Sequence, residues 1–324
     1  RCKSLFKFTG HTPFTAVMSN YSQQIVLKNI QTSGDNIDCT IEFLTGVRDV
    51  IVSNCIFSNK HIVKANGKMV EMMFSDCVMF TSSENKAIDI SSDLGTSYNS
   101  EGWQFVNCTI DITGADSFVG ISISDIYVCQ FTNCYIGCSM LFPNPTTTSH
   151  TDYISLNNNT ITGKISFTST YGTTYRNASI IGNDIVGNVE ITSVDTVKIS
   201  DNKFINGTGT AIQLGNNATR VNITDNFIGV SYSRAVSHNA SALYECNIDG
   251  LQFANNTYAP ISIANMSFAT VRNITAANDS SFMQYYNVTM ATHNNGDTII
   301  SQNIKMGKGQ NGLLIININH SSTT

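Results

Sequence analysis

Residues 129–136 read CQFTNCYI and residues 154–161 read ISLNNNTI. Laid over one another they share apolar residues four and two places before an asparagine, Asn133 or Asn158, and an isoleucine three places after it, Ile136 or Ile161. Outward from this pair the unit recurs as IVLKNI, VIVSNCIF, MMFSDCVM and WQFVNCTI upstream, and as ASIIGNDI, VKISDNKF, VNITDNFI, LQFANNTY and ATVRNI downstream. The anchors are Asn29, Asn54, Asp76, Asn107, Asn133, Asn158, Gly182, Asp201, Asp225, Asn255 and Asn273. They recur every 18 to 31 residues around a mean near 25, which is the period of a solenoid.

The alternation before each anchor is the period-2 pattern of a strand with one buried face. A second short strand follows the anchor, carrying Phe57, Met79, Ile110, Ile136, Ile161, Ile185, Phe204, Ile228 and Tyr258. Further on, Ile88-Asp89-Ile90, Ile121-Ser122-Ile123, Ile165-Ser166-Phe167, Val189-Glu190-Ile191, Ile212-Gln213-Leu214 and Ile261-Ser262-Ile263 alternate once more. Three short strands per repeat predict an all-β fold, a right-handed single-stranded parallel β-helix of about eleven coils. The residue after the anchor is Cys55, Cys77, Cys108 and Cys134 in four consecutive repeats, then Asn159, Asn183, Asn202, Asn226 and Asn256. Equivalent residues of neighbouring coils lie about 4.8 Å apart, so thiols pack in one column and amides bond into a ladder.

Composition agrees. The 324 residues are 41% hydrophobic and 13% charged, enough apolar residues for a core but about half the usual charge, which excludes disorder and a helical enzyme. A net charge of -5 leaves no basic surface for nucleic acid or an anionic membrane, and no apolar run reaches a membrane span. The nine cysteines, odd in number and without CxxC spacing, predict buried free thiols instead of disulfides or zinc. The six histidines are scattered in loop-like contexts, so neither a metal site nor a cofactor is expected.

Residues 1–20 are expected to be an N-terminal lead-in or cap, 21–289 the β-helix, and 290–324 a C-terminal β cap or trimerisation segment. Three excursions interrupt the period: between Asp76 and Asn107, between Asp225 and Asn255, and at LFPNPTTTSHTDY, residues 141–153. Insertions of this kind become loops on one face of a solenoid.

With its anchor column and its Asn and Cys stacks, the chain from Tyr21 to Tyr286 resembles the β-helical trunk of tailed-phage tailspikes and capsule depolymerases. More loosely it resembles the pectate lyase and polygalacturonase β-helices. The resemblance implies a virion or extracellular protein folded in the host cytoplasm, assembled as a homotrimer and joined to other virion tail proteins through a region preceding residue 1. It also implies recognition and depolymerisation of a bacterial surface polysaccharide, capsule or O-antigen, by glycoside hydrolysis or lyase chemistry. The polygalacturonase signatures NTD, DD, GHG and RIK do not occur here, and no catalytic residue carries over from these families. Two further readings are a non-enzymatic glycan-binding adhesin or structural spike, and a secreted eukaryotic or cell-surface glycoprotein, suggested by about fourteen Asn-x-Ser/Thr sequons.

Glycosidic cleavage calls for two carboxyl groups on neighbouring coils. Asp93 and Asp125 follow equivalent strands by three and two residues, and Glu101 lies in the long loop between them; these three are the candidate catalytic acids. Asp89, Ser122, Ser166, Glu190 and Gln213 share an outward position and make a candidate sugar-binding floor. Tyr98, Tyr127, Tyr232 and Tyr244, in or beside the long loops, are candidate stacking platforms. Trp103 occupies an inward position equivalent to Val50, Met72 and Cys129, and is expected in the core.

Overall fold

The computed structural model describes residues 2–8, 25–34, 37–44, 47–66, 69–82, 86–91, 101–113, 118–124, 126–143, 152–168, 176–238, 243–254, 261–263, 266–276, 284–290, 299–302, 305–306 and 314–320. All regular structure among them is β, in three parallel sheets that form a β-helix. The chain divides into two compact units, Arg1–Lys164 with Ser169–Tyr175, and Ile165–Thr168 with Arg176–Thr324. Each unit contributes six strands to sheet two, so the coil count differs from the eleven anchors.

In the first unit, sheet one runs through Val47–Ser53, Met69–Ser75, Glu101–Val106, Val128–Thr132 and Asp152–Asn157. Val52, Phe74, Phe105, Phe131 and Leu156 occupy one register position and are fully buried. Their rings stack, Phe74 on Phe105 at 5.0 Å and Phe105 on Phe131 at 4.6 Å between centroids, the separation that aromatic pairs prefer. Sheet two adds the inward column Phe57, Met79, Ile110, Ile136 and Ile161. Trp103 is buried in register with Val50-equivalent Met72 and with Cys129, and its ring lies edge-on to Phe43.

A backbone constraint explains the anchors. Asn29, Asn54, Asp76, Asn107, Asn133 and Asn158 in the first unit have φ between 52° and 57°, the left-handed region that Asn and Asp tolerate better than other non-glycine residues. In the second unit Asp201, Asp225 and Asn273 have φ between 53° and 58°, and Gly182 and Gly250 take φ of 68° and 67°. Each left-handed residue bends the chain from sheet one into sheet two. Its N–H still donates to the next coil, as from Asn107 to Thr132 O at 3.0 Å and from Gly182 to Ser200 O at 3.0 Å.

The anchor of the Leu243–Asp249 coil is therefore Gly250, in register after Asp249, and not Asn255. Gly250 stands 25 residues beyond Asp225, so the expected excursion between Asp225 and Asn255 disappears. Buried Leu251 takes the position assigned to Asn256; Asn255, Asn256 and Tyr258 themselves lie outside the described residues.

The position after the anchor is a buried hydrogen-bond relay in both units. In the second, Asn183 N and Nδ2 both donate to Asn202 Oδ1 at 2.9 Å, and Asn202 N and Nδ2 to Asn226 Oδ1 at 3.0 Å. Asn226 Nδ2 also donates to Thr224 O, two residues back, and to Ile199 O of the preceding coil. In the first unit the thiols make the same pair of bonds: Cys108 Sγ to Val106 O and Phe74 O, and Cys134 Sγ to Thr132 O and Phe105 O. Thiol and amide are interchangeable here because each presents a donor to carbonyls that the bend leaves without a ladder partner. The eight cysteines whose side chains are described are buried thiols outside any disulfide, and burial pushes the Cys39 and Cys246 thiols up to about 12.

Beyond residue 290, Ile299–Gln302, Lys305–Met306 and Leu314–His320 pair in parallel with Met266–Arg272, Thr275–Ala276 and Gln284–Met290, one strand in each sheet.

Candidate active site on the outer face of sheet one

A second column of left-handed residues lies at the start of the sheet-one strands, five residues before the anchors. In the first unit it comprises Asp49 (φ 54°), Glu71 (φ 58°) and Gly102 (φ 71°), placed side by side by the pairing of Val50 with Met72 and Met72 with Trp103. Backbone held in this region by non-glycine residues is a form of strain that clusters at functional sites. The kink dents the outer face, and a groove of about 610 Å³ opens there, lined by Asp49, Ile51, Glu71, Met73, Gly102 and Gln104. Its size is that of a small-ligand cleft. At Gly102 a β-carbon would stand 3.8 Å from Glu71 Cγ, so any larger residue there would occupy the groove.

Two carboxyl groups meet in it. Arg48 Nε donates to Asp49 Oδ2 at 3.0 Å, which gives Asp49 a counter-ion. A hydrogen bond with Asp49 holds the Glu71 carboxyl above its ordinary range, aided by the Asp49 charge, partial desolvation and the Glu101 charge, and opposed by Arg48. The two acids stand in register on neighbouring coils, and the Asp49 carboxyl raises the proton affinity of Glu71 beside it.

The second unit has the same kink with the opposite electrostatics. There Arg220 (φ 48°) and Glu245 (φ 53°) occupy adjacent register positions, and Arg220 pairs with Asp195, which also accepts from Thr219 Oγ1 at 2.9 Å. The fold accommodates the kink with complementary charges, so the acid-on-acid pair of the first unit is not a requirement of the backbone. A local rule broken without structural need marks a candidate functional site.

Of the expected catalytic acids, Asp93 and Asp125 lie outside the described residues, as does the candidate platform Tyr98. Glu101 is exposed and directly precedes Gly102, beside the groove. Asp89 carries an ion pair with Lys86 at 3.1 Å, and on its own sheet it stands between Lys64 and Ser122. Ser122 is buried, and Glu190 accepts from Ser166 Oγ at 3.2 Å. Tyr127 is 43% exposed. Tyr232 corrects the expectation of a platform: it is fully buried, edge-on to Phe204, and its hydroxyl donates to Gly187 O at 2.5 Å. It fits only because Gly207 has no side chain, since a β-carbon there would collide with the phenol oxygen.

Asp49 and Glu71 escaped the sequence reading, although a signal was present: both stand at the same offset before consecutive anchors. Among the described residues no three His, Cys, Asp or Glu side chains gather as a metal site would require. No protein-family model, no curated protein and no solved structure matches the chain.

Proposed function

We propose that this chain is the trunk of a surface-glycan-recognising spike that cleaves glycosidic bonds at the Asp49–Glu71 groove. The observation that carries the reading is the pair of acids, Asp49 and Glu71, in register on neighbouring strands and both lining one groove, with the Glu71 carboxyl raised by Asp49. Residues in register on neighbouring strands stand about 4.8 Å apart, nearer the carboxyl separation of the retaining mechanism, about 5 to 5.5 Å, than that of inversion. Protonated Glu71 donates its proton to the glycosidic oxygen as the C–O bond breaks, while the Asp49 carboxylate bonds to the anomeric carbon. Water then attacks that carbon, the ester to Asp49 breaks, and the Glu71 carboxylate takes the proton from the water. The virion setting, the partner tail proteins and a homotrimeric assembly belong to the same proposal and rest on the resemblance to tailspikes.

Incubation with an array of purified bacterial capsular and O-antigen polysaccharides tests it. New reducing ends are expected from the parent chain, with loss of at least about a hundredfold in Glu71→Gln and Asp49→Asn. Binding without cleavage by the parent would support the adhesin reading, and cleavage undiminished in both variants would remove these residues from the chemistry.

A further inference from the structure

On the same outer face of sheet one, farther along the first unit, Tyr127 and Tyr153 stand against each other with ring centroids 5.7 Å apart at 71°. They are 43% and 45% exposed, and Tyr153 N donates to Tyr127 O at 2.9 Å. Tyr153 stands in register with the kinked residues, without their left-handed φ: the register runs from Asp49 to Glu71, Gly102, Val128 and Tyr153. Between Glu71 and Tyr153 that register position is held by Gly102 and Val128, and two residues further along the same strands Gln104 and Gln130 are paired in register and both exposed. The face therefore carries carboxyls at one end and aromatic rings at the other, with two amides flanking the stretch between them.

We infer that this face is one continuous track for a neutral polysaccharide lying along the stack of coils, with Tyr127 and Tyr153 as a distal sugar-stacking subsite. The inference rests on the groove being the cleavage site. Three coil steps separate Glu71 from Tyr153, roughly 14 Å at the spacing of parallel strands, a span of a few sugar units in an extended chain. The aromatic faces suit the apolar face of a pyranose, and the two glutamine amides offer donors and acceptors to its hydroxyls. The groove end carries Asp49, Glu71 and Glu101 against Arg48, an acidic balance that repels a uronate-rich chain. A sugar held on the tyrosines fixes how far from its end the chain is cut.

Neutral and uronate-containing polysaccharides, purified from bacterial surfaces, are the probes for the full-length chain. Binding is read with the non-cleaving Glu71→Gln form, and product length and kinetics with the active one. Binding is expected to be confined to neutral polymers and to weaken ~tenfold when Tyr127→Ala and Tyr153→Ala are combined, a loss of ~1.4 kcal/mol. In the active chain the same pair of substitutions raises KM on polymer, leaves kcat nearly unchanged and broadens the product-length distribution. Tyr127→Phe with Tyr153→Phe keeps the rings and therefore the affinity, which separates stacking from a fault in folding. Unchanged affinity and product length in the alanine pair, with cleavage intact in the parent, would overturn the subsite alone. Preference for uronate polymers would overturn the substrate class, and absence of both binding and cleavage would remove the proposed function with it.

Discussion

At the scale of the residue, one backbone conformation accounts for most of what the repeat displays. A left-handed residue costs a non-glycine side chain about 1–2 kcal/mol, less for Asn and Asp, and the anchors are Asn, Asp or Gly accordingly. Glu71 accepts that strain without being one of the tolerant types, and its neighbour across the coil is a second acid. The consequence is measurable as a titration. Because Glu71 is raised by Asp49, the folded state holds this proton more tightly than the unfolded state. Its contribution to stability is present below the ordinary value of 4.5 and is lost as the pH rises through the raised folded value. Under the proposed mechanism, in which protonated Glu71 is the acid, cleavage is expected to fall as the pH rises through that raised value. A ¹³C-detected titration of the Glu71 carboxyl should show its midpoint fall in Asp49→Asn, where the neighbouring charge is gone; an unchanged midpoint would show that the two groups are not coupled.

At the scale of the element, the bend from sheet one to sheet two is held by the relay behind the anchor. Asn202 is its centre in the second unit: it accepts from Asn183 N and Nδ2 and donates to Ile180 O and Asn226 Oδ1. Asn202→Ala leaves at least two buried polar groups unpaired, at about 1–3 kcal/mol each. The expected loss is about 2–6 kcal/mol, read as a lower urea midpoint. Cys108→Ala in the first unit should cost less, since a thiol is a weak donor. Equal midpoints for Asn202→Ala and the parent would mean that the ladder is not a stabilising element. The Cys and Asn columns were legible as sequence because they fall at one offset from the anchor. The coil at Gly250 was not, for a specific reason. Leu251 and Phe253 are inward in the true register, after the anchor, and they also satisfy the apolar positions before a supposed anchor at Asn255. Apolar spacing alone cannot separate the two alignments; the left-handed φ of Gly250 does.

At the scale of the whole molecule, the strand Leu314–His320 pairs in parallel with Gln284–Met290. Its sequence, LIININH, alternates Leu314, Ile316 and Ile318 with Ile315, Asn317 and Asn319. As a sequence pattern this alternation calls for cover on both faces of a strand, and we propose that cyclic association supplies it. Sedimentation equilibrium on the full chain should therefore return the mass of a homotrimer, and a monomeric mass would end that reading. Sequence by itself determined the parallel β-helix, its three strands per coil, its inward columns and its buried thiols, because each follows from the alternation of side chains along a strand and a repeated offset. Tertiary structure alone decided that Tyr232 is a core residue filling the space left by Gly207, and that Asp49 and Glu71 line one groove side by side. Those outcomes depend on which residues of different coils are brought side by side, and that register is set by left-handed kinks that leave almost no trace in the pattern of apolar and polar residues.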